Sequence, residues 1–475
     1  MVTAPRVPTV VIAAPASGSG KTTVATGLIG ALTAAGHRVA PFKVGPDYID
    51  PGYHGLAAGR VGRNLDPNLV GVERVAPLFA AGSAGSDIAV IEGVMGLFDG
   101  RIVDDGADDL GLGSTAHVAS LLGAPVILVV DAAGHSQSLA ALLHGFTTFA
   151  SQVRIAGVVL NKVGSPRHAQ VLRQACARAG VEVLGVLGRD PGLAVPSRHL
   201  GLVPAAERSA DAVAAVAEMS MKVGAALDLP AIVRVAVQST GRPSAAWSAD
   251  DEIARARTGL GLESPERRPV VAVARGAAFT FSYAEHAELL TAAGADVVGF
   301  DPLTDSLPDG TAAVVIGGGF PEEHGARLGE NAALRAALRA HVAAGRPVHA
   351  ECAGLLYLLD RLGEHPMAGV VPGTGVFTTR LTLGYRDAVA VSGSVLFAPG
   401  ERATGHEFHR TTVDWTAAPA PAWAWRGPDG NVVDGVVAGS VHASYLHLHP
   451  AGQPSTVARF VDAAATSSNP AREAV

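Results

Sequence analysis

A glycine-rich turn between an apolar strand and a helix constrains this fold more than any other sequence feature. Residues 14–23 read Ala-Pro-Ala-Ser-Gly-Ser-Gly-Lys-Thr-Thr, after an apolar run at 9–13 and before a helical stretch at 22–35. In such a turn, backbone N–H groups and the helix N-terminus face an anion, as in a phosphate-binding P-loop. A proline stands where the usual pattern begins with glycine, and a turn without a ligand is the alternative. The residues predicted to bind a nucleotide here are Gly18, Gly20, Lys21, Thr22 and Thr23.

Within this turn, two side chains have distinct predicted roles. The Lys21 ammonium is expected to contact the β- and γ-phosphates of the nucleotide, and the Thr22 hydroxyl is expected to bind Mg²⁺. ATP and Mg²⁺ are therefore the cofactors that the sequence indicates.

Short apolar runs recur along the whole chain with helical stretches between them. In the first half they lie at 39–44, 88–91, 126–130, 155–160 and 183–186. A second series lies at 270–274, 296–300, 313–316 and 348–350. Continuous Val/Ile/Leu runs separated by helices predict parallel sheets covered by helices on both faces. The sequence thus predicts an α/β protein.

The chain has 475 residues, which is too many for one ordinary domain. A stretch rich in proline, serine and charge separates the two apolar series. We predict an N-terminal parallel-sheet domain at 1–238 and a linker at 239–268 that can include a short helix. A C-terminal α/β domain is predicted at 269–465, followed by a frayed tail at 466–475.

Composition excludes several classes of protein. The formal net charge of −7 makes the chain a poor binder of nucleic-acid phosphates. No apolar run reaches the ~18–20 residues of a membrane helix, and the N-terminus has no signal-peptide pattern. The two cysteines form no disulfide framework, which favours a reducing, cytoplasmic location. Cys176 is predicted to be a buried apolar side chain. If the protein self-associates, we expect a homodimer.

Acidic residues follow the second and third predicted strands. The segment Lys43–Pro51 ends the second strand, and Glu92–Gly100 ends the third. Ligands of open α/β sheets bind at the carboxyl ends of the strands, and Mg²⁺ prefers oxygen ligands. We therefore predict that Asp47 and Glu92 join Thr22 as metal ligands. Capping of a helix is the alternative role for a carboxylate in this position.

Lysine is rare in this chain, so each lysine is informative. Only four lysines occur among 36 basic residues, and Lys21, Lys43 and Lys162 fall within motifs. We include Lys43 among the nucleotide-binding residues. Asn161 follows the apolar run at 155–160, where an amide can read the edge of adenine. An ordinary turn at the end of a strand is the alternative for Asn161.

The second half carries a candidate thiol nucleophile. The sequence around Cys352 reads Val-His-Ala-Glu-Cys-Ala-Gly, between a predicted strand and an apolar helix. A nucleophile between small neighbours at a strand–helix turn is typical of a nucleophile elbow. The helix N-terminus is expected to lower the pKa of the thiol. Backbone N–H groups of Gly318, Gly319 and Ala353 are expected to form an oxyanion hole.

Histidines near the C-terminus supply candidate bases. Residues 441–449 read Val-His-Ala-Ser-Tyr-Leu-His-Leu-His. On a strand His447 and His449 share a face, so one can be the base and the other its orienting partner. We predict that His447 activates Cys352.

These motifs together resemble the cobyrinic acid a,c-diamide synthase family, over about residues 8–460. The matching segments occur in one order, namely Pro15–Thr23, Lys43–Pro51, Glu92–Gly100, Gly317–Glu322, Ala350–Gly354, Gly405–His409 and Ser444–His449. The resemblance implies an N-terminal domain similar to dethiobiotin synthetase that binds ATP and Mg²⁺. It implies a C-terminal domain of the class I glutamine amidotransferase type.

The resemblance also implies a reaction and its small-molecule partners, which are a corrinoid, L-glutamine and ATP. Members activate the a and c acetate side chains of the corrin ring as acyl phosphates, and ammonia from glutamine displaces phosphate. By position, it places Tyr48, Asp50 and Asp99 at the corrinoid. Related glutaminases have a glutamate where this chain has His449, so the orienting role of that residue stays open. Ammonia must arrive unprotonated, which favours a sheltered route.

Alternatives from two classes remain. Cobyric acid synthase amidates other side chains of the same ring with a similar domain pair, although Gly-Pro-Asp-Tyr-Ile-Asp-Pro at 45–51 favours the a,c-diamide enzyme. A ParA-like ATP-dependent partition switch shares the P-loop but needs no thiol elbow. Both a cobalt-containing and a cobalt-free corrinoid are open at this point, with a GC-rich composition favouring the cobalt-free ring.

Overall fold

A computed structural model describes residues 6–102, 110–190, 197–198, 201–202, 209–241, 243–428 and 430–467, with backbone only at 197–198, 201–202 and 209. Contacts divide the chain into two units, 1–247 and 248–475. The stretch predicted as a linker contains the helix Ala249–Leu260. The last helix continues to Ser467, and the rest of the predicted tail lies outside the described residues.

The first unit is built on a parallel sheet of seven strands. The strands are β1 (Thr9–Ala13), β2 (Val39–Val44), β3 (Arg63–Leu65), β4 (Ile88–Glu92), β5 (Val126–Asp131), β6 (Ile155–Val163) and β7 (Val183–Gly188). Their order in the sheet is β3-β2-β4-β1-β5-β6-β7, and all the pairs are parallel. A separate two-stranded sheet pairs β8 (Ser197–Arg198) with β9 (Gly201–Leu202). The predicted parallel sheet is confirmed, and β3 is a strand that the sequence analysis missed.

Helices connect these strands. They are α1 (Lys21–Ala34), α2 (Asp50–Ala58), α3 (Pro67–Val70), α4 (Val72–Gly82), α5 (Thr115–Leu121), α6 (Leu139–Phe149), α7 (Pro166–Arg178), α8 (Ser209–Ala226) and α9 (Leu229–Val237). Glycines let α1 approach α8 closely. A Cβ atom at Gly27 would lie 2.5 Å from the side chain of Val223, and one at Gly30 would lie 1.8 Å from Ser220 Oγ. This packing fixes the helix that follows the glycine-rich turn.

The second unit contains two sheets. Its strands are β10 (Val270–Ala274), β11 (Asp296–Phe300), β12 (Thr311–Ile316), β13 (Val348–Glu351), β14 (Leu359–Leu362), β15 (His365–Pro366), β16 (Val371–Ala390), β17 (Arg402–Trp415), β18 (Trp423–Gly427), β19 (Gly430–Asp434), β20 (Val436–Ala438) and β21 (Val441–Ser444). The first sheet has the order β11-β10-β12-β13-β21-β20 and is parallel except for β20. The second has the order β15-β14-β16-β18-β19, with β17 paired to β16.

The helices of the second unit lie before, between and after these strands in the chain. They are α10 (Ala249–Leu260), α11 (Ala284–Ala292), α12 (Pro321–Glu330), α13 (Ala332–Ala343), α14 (Ala353–Leu358), a 3₁₀ helix (Pro450–Gly452) and α15 (Pro454–Ser467). Every residue of α14 is buried, as its apolar sequence requires. No helix in the described part of the chain is both long enough and apolar enough to cross a membrane.

Candidate active sites

The glycine-rich turn adopts a backbone that only glycine accommodates easily. Gly18 and Gly20 have φ angles of 78° and 94°, in the left-handed region. A Cβ atom at Gly20 would lie 2.3 Å from Asn161 Nδ2. Asn161 Nδ2 donates a hydrogen bond of 2.9 Å to the Ser19 carbonyl. The tight turn is therefore braced from the end of β6.

The contacts of Asn161 join β6 to the glycine-rich turn. Its amide nitrogen is bound to the glycine-rich turn, and its Oδ1 accepts a hydrogen bond from the backbone of Lys162 at 2.9 Å. Lys162 Nζ lies 2.7 Å from Asp131 Oδ2 and donates to the Gly18 carbonyl at 3.3 Å. Asn161 thus lies within β6 and supports the glycine-rich turn, and its role at adenine stays a prediction.

Lys21 is buried at the start of α1. Its ammonium donates a 2.5 Å hydrogen bond to the Met95 carbonyl. Met95 itself has a φ angle of 45°. Burial and the charge of Lys43 lower the pKa of Lys21. Thr23, in the first turn of α1, is half-buried. Lys21 is thus held in place by the loop after β4, within the predicted phosphate site.

Thr22 contacts two carboxylates from different elements. Its hydroxyl donates to Glu92 Oε1 at 2.7 Å and lies 3.3 Å from Asp50 Oδ2. Lys43 Nζ lies 2.5 Å from Asp50 Oδ2 and 3.0 Å from Glu92 Oε1. The structure therefore brings together the ends of β2 and β4 with the first turn of α1, as the sequence predicts.

Asp47 and Asp50 differ in burial. Asp47 Oδ1 accepts hydrogen bonds from the backbone N–H groups of Ile49 and Asp50, at 2.8 and 3.1 Å. Asp47 thus binds N–H groups at the start of α2, and its side chain is 33% exposed. Asp50 is only 5% exposed, because α2 begins at this residue and turns its side chain inward. The structure therefore adds Asp50 to the candidate metal ligands, and the metal role of Asp47 stays a prediction.

Charges within this cluster compensate one another. Burial alone would lower the pKa of Lys43, but Asp50 and Glu92 raise it above its usual value. Burial would raise the pKa of Glu92, but Lys43, His54 and Thr22 lower it. His54 Nε2 lies 2.7 Å from Glu92 Oε2, and both side chains are fully buried. Sequence analysis missed His54, since its spacing within α2 gives no sign of this contact.

The oxygen donors of this cluster fit Mg²⁺. Thr22, Asp50 and Glu92 supply hard oxygen ligands, which Mg²⁺ prefers. No group of three His, Cys, Asp or Glu residues within the described ranges has an arrangement suited to a metal. A magnesium ion here would therefore complete its shell with nucleotide phosphates and water.

The two other predicted substrate residues lie nearer the surface. Tyr48 is half-buried and Asp99 is exposed. Asp99 Oδ2 accepts a hydrogen bond of 2.8 Å from the Gly96 backbone. Its negative charge raises the pKa of Lys21, though less than burial lowers it. Both residues thus remain placed where a large substrate could reach them.

The thiol of the second unit lies on a strained turn between β13 and α14. Cys352 has φ 50° and ψ −102°, a conformation that is unfavourable for a side chain with a Cβ atom. Its N–H donates to the Ser444 carbonyl at 2.7 Å, which ties the turn to β21. A Cβ atom at Gly354 would lie 2.1 Å from the Ile316 carbonyl oxygen. This geometry is that of a nucleophile elbow.

The expected lowering of the thiol pKa does not occur. Burial raises the pKa of Cys352, and the carboxylate of Glu322 raises it further. A hydrogen bond from the Ala353 N–H lowers it, but by less than burial raises it. The prediction failed because this thiol is 4% exposed and the helix that follows has only six residues. The thiol thus needs a base to remove its proton during attack.

His447 lies three residues after β21, the parallel neighbour of β13. Its backbone forms an isolated bridge with His406, with both hydrogen bonds at 2.9 Å. Its Nδ1 lies 3.7 Å from Oε2 of Glu351, the residue immediately before the thiol. The base candidate is thus brought to the end of the strand that carries the nucleophile.

His449 faces other partners. Its Nδ1 accepts a hydrogen bond from the Ala451 N–H at 3.3 Å, and its ring stacks on Tyr283 at 4.0 Å between centroids. Its Nε2 lies 3.9 Å from Glu285 Oε2. Because β21 ends at Ser444, the two histidines do not follow the strand alternation on which their pairing was predicted.

The glycine loop after β12 lies against the base. A Cβ atom at Gly318 would lie 2.4 Å from His447 Cε1, and one at Gly319 would lie 2.1 Å from the Ala278 carbonyl oxygen. Neither position has room for a side chain. The loop thus packs against the His447 ring, next to the predicted oxyanion donors.

The segment Gly405–His409 lies on another side of the thiol. Cys352 Sγ lies 3.9 Å from the Phe408 carbonyl oxygen. Glu407 Oε2 accepts from Arg386 Nε at 2.6 Å, and the His409 ring stacks on Tyr445 at 3.8 Å. Sequence analysis found this segment as a motif but missed Arg386, which pairs with it across β16 and β17. The other cysteine, Cys176, is buried, and burial raises its pKa to about 11.

Comparison with known proteins assigns a domain type to each unit. Residues 10–203 match the CobQ/CobB/MinD/ParA nucleotide binding domain. Residues 270–454 match the CobB/CobQ-like glutamine amidotransferase domain. The two matches cover the glycine-rich turn with its carboxylates and the thiol with its histidines.

Relatives match the chain over nearly its whole length. It is 60% identical over 462 residues to the hydrogenobyrinate a,c-diamide synthase of Mycobacterium tuberculosis, covering 97% of this chain and 98% of the relative. It is 55% identical to the enzyme of the same name from Streptomyces coelicolor, covering 97% and 98%. It is 42% identical to the cobyrinate a,c-diamide synthase of Gloeobacter violaceus, covering 95% and 96%.

Proposed function

Because this chain belongs to the family of CobB/CobQ-type a,c-diamide synthases, we propose that it amidates the a and c acetate carboxylates of hydrogenobyrinic acid. It is an ATP-dependent carbon–nitrogen ligase that takes its nitrogen from glutamine, in the biosynthesis of cobalamin. The observation that carries the proposal is the pairing of a phosphate-binding cluster in one unit with a thiol elbow in the other. A partition switch would need no such elbow.

The first unit activates the carboxylate. The terminal phosphoryl group of ATP passes to a carboxylate oxygen of the corrinoid, giving an acyl phosphate and ADP. Ammonia then attacks the acyl carbon, and inorganic phosphate leaves. Lys21 and Lys43 place ammonium groups where negative charge accumulates on the phosphates.

The same cluster supplies oxygen ligands that suit a magnesium ion. Thr22, Asp50 and Glu92 would hold it, and it would supply positive charge beside the phosphates. The turn Gly18–Gly20 would receive the phosphates on backbone N–H groups. Tyr48 and Asp99, which are less buried, would face the corrinoid.

The second unit releases ammonia from glutamine. The Cys352 sulfur bonds to the amide carbon, and its proton passes through His447 to the departing ammonia. Backbone N–H groups of the glycine loop and Ala353 stabilise the negative oxygen of the intermediate. Water then cleaves the thioester, which releases glutamate and restores the thiol. The buried neutral thiol fits a role for His447 as its base.

The choice of the cobalt-free ring is supported by the relatives. Those named for hydrogenobyrinate are 60% and 55% identical to this chain, whereas the relative from Gloeobacter violaceus, named for cobyrinate, is 42% identical. All three align over at least 95% of the chain, so the difference does not reflect a missing segment.

Mass spectrometry of the products tests this function. The protein is incubated with ATP, Mg²⁺ and glutamine, and with either hydrogenobyrinic or cobyrinic acid. We expect conversion of both acetate carboxyls of hydrogenobyrinic acid, with one ADP for each amide. If neither ring is amidated, the proposed function is overturned. If only cobyrinic acid is amidated, the cobalt-free assignment is overturned. Reactions without glutamine or ATP are the controls.

A further inference from the structure

We propose that Glu351 is the positioning residue that orients His447 during glutamine hydrolysis. This inference rests on the proposed function, in which His447 is the base for Cys352. In related glutaminases, a glutamate two residues after the histidine has the orienting role. Here that role would belong to the residue immediately before the nucleophile.

The two oxygens of Glu351 have separate partners. Oε1 accepts a hydrogen bond of 3.2 Å from the Leu448 N–H and lies 3.4 Å from His349 Nε2. Oε2 lies 3.7 Å from His447 Nδ1. Because Leu448 follows His447 in the chain, one carboxylate holds both the backbone and the ring of this segment. One oxygen is anchored, and the other is directed at the base.

The strands explain why these groups meet. Glu351 is the last residue of β13 and pairs with Ser444, the last residue of β21. His349 and Glu351 are two residues apart on β13, so their side chains leave the same face. The segment that follows β21 then brings the Leu448 N–H and the His447 ring to the Glu351 carboxylate.

The His447 ring has few alternative positions. Its backbone forms a bridge with His406. A Cβ atom at Gly318 would lie 2.4 Å from His447 Cε1, so the glycine loop packs directly against the ring. The Phe281 ring lies 6.3 Å from it between centroids. When Nδ1 is held toward Glu351, Nε2 is the nitrogen that would exchange a proton with the thiol under the proposed function.

The charge of Glu351 suits the role. Its side chain is 14% exposed, and burial alone would raise its pKa. The neighbouring His349 and His447 outweigh burial and lower the pKa of Glu351, which favours the ionised carboxylate. An ionised carboxylate stabilises the imidazolium that forms when the base takes a proton.

His449 contacts a different carboxylate. Its nitrogens are directed at the Ala451 N–H and at Glu285, and its ring stacks on Tyr283. It is the competing candidate for the orienting role, so its variant discriminates between the two assignments. The His449→Asn variant keeps an acceptor for the Ala451 N–H and removes the imidazole.

Steady-state glutamine hydrolysis, measured as glutamate formed without a corrinoid, tests the proposal in the full chain. Since an amide has one acceptor oxygen, Glu351→Gln cannot serve both histidines. We expect it to lower kcat by about 10–100-fold while the KM for glutamine changes by less than about threefold. Amidation from free ammonia should persist. His449→Asn should lower kcat less than Glu351→Gln does, because His449 faces Glu285.

Two outcomes would overturn the proposal. One is a kcat of Glu351→Gln equal to that of the unsubstituted chain, and the other is a larger loss in His449→Asn than in Glu351→Gln. If Glu351→Gln does not fold, Glu351→Asp replaces it, with an intermediate kcat and an unchanged KM expected, and an unchanged kcat counts against the role. Glutamine hydrolysis that survives in Cys352→Ala would instead contradict the proposed function, so the two failures are distinguishable.

Discussion

Lys43 and Asp50 form a buried ion pair in which the ammonium nitrogen lies 2.5 Å from Oδ2. The same ammonium lies 3.0 Å from Glu92 and 3.9 Å from Asp47. Asp50 is therefore an internal member of the phosphate cluster, and Asp47 is a cap at its edge. This distinction gives the two aspartates different expected effects.

Asp50→Asn should impair catalysis more than Asp47→Asn. The first variant removes a charge that faces Lys43 and Thr22, so we expect a higher Mg²⁺ requirement and a kcat lower by about 100-fold. The second keeps an acceptor oxygen for the Ile49 and Asp50 N–H groups, so we expect little change in stability or in Mg²⁺ requirement. Titration of ADP formation with Mg²⁺ compares them. Equal Mg²⁺ dependence in both variants would contradict the arrangement.

Lys21→Ala should stop amidation with either nitrogen source. The loss removes the ammonium that faces the phosphates, and we expect ADP formation to fall by about 100-fold or more. Glutamine hydrolysis in the second unit should continue. Lys222→Ala is the matched control, because Lys222 pairs with Asp190 and Glu218 near the surface and should matter little. Normal ADP formation in Lys21→Ala would refute the phosphate site.

Gly318→Ala should impair glutamine hydrolysis alone. The added methyl group would meet His447 Cε1 at 2.4 Å, so the ring must move from its place beside Glu351. We expect kcat for glutamine to fall by at least about tenfold, with ammonia-supported amidation retained. Gly259→Ala is the control, since a Cβ atom there meets nothing within 4 Å. Similar glutamine activity in the two variants would count against the packing of the ring.

Asp434→Asn should flatten the pH dependence of stability. Burial and the charge of Glu407 raise the pKa of Asp434 from 3.8 to about 7 in the folded chain. As the pH rises from about 4 to 7, the unfolded chain therefore loses this proton first, and folding becomes less favourable by roughly 2–4 kcal/mol. Urea unfolding at pH 5 and pH 8 measures the difference. A variant with the same pH dependence as the unsubstituted chain would contradict this.

Local sequence patterns predicted the parts of the sites that depend on one turn. The glycine-rich turn and the strained cysteine are each set by a few consecutive residues. The deeper burial of Asp50 was not predicted, because it depends on the residue at which α2 begins, and helix boundaries are hard to predict from sequence.

Contacts between distant strands could not be predicted in this way. Glu351 lies next to the thiol in sequence, but its relation to His447 requires that β13 and β21 be neighbours. Since β21 follows β13 by some ninety residues, the pairing depends on the second sheet inserted between them. The strand alternation of His349 and Glu351 was the available signal. The burial that raises the pKa of Cys352 likewise comes from packing of the whole unit.

The central claim is that the two units carry separate chemistries. Comparing glutamine with ammonia as the nitrogen source for the Cys352→Ala variant tests this claim most directly. Amidation of hydrogenobyrinic acid is measured with ATP and Mg²⁺, using either glutamine or a high concentration of ammonium salt. We predict that the variant loses amidation from glutamine and keeps amidation from ammonia at a rate close to that of the unsubstituted chain. Amidation from glutamine in the variant, or loss of the ammonia reaction in a folded variant that still binds ATP, would contradict the account.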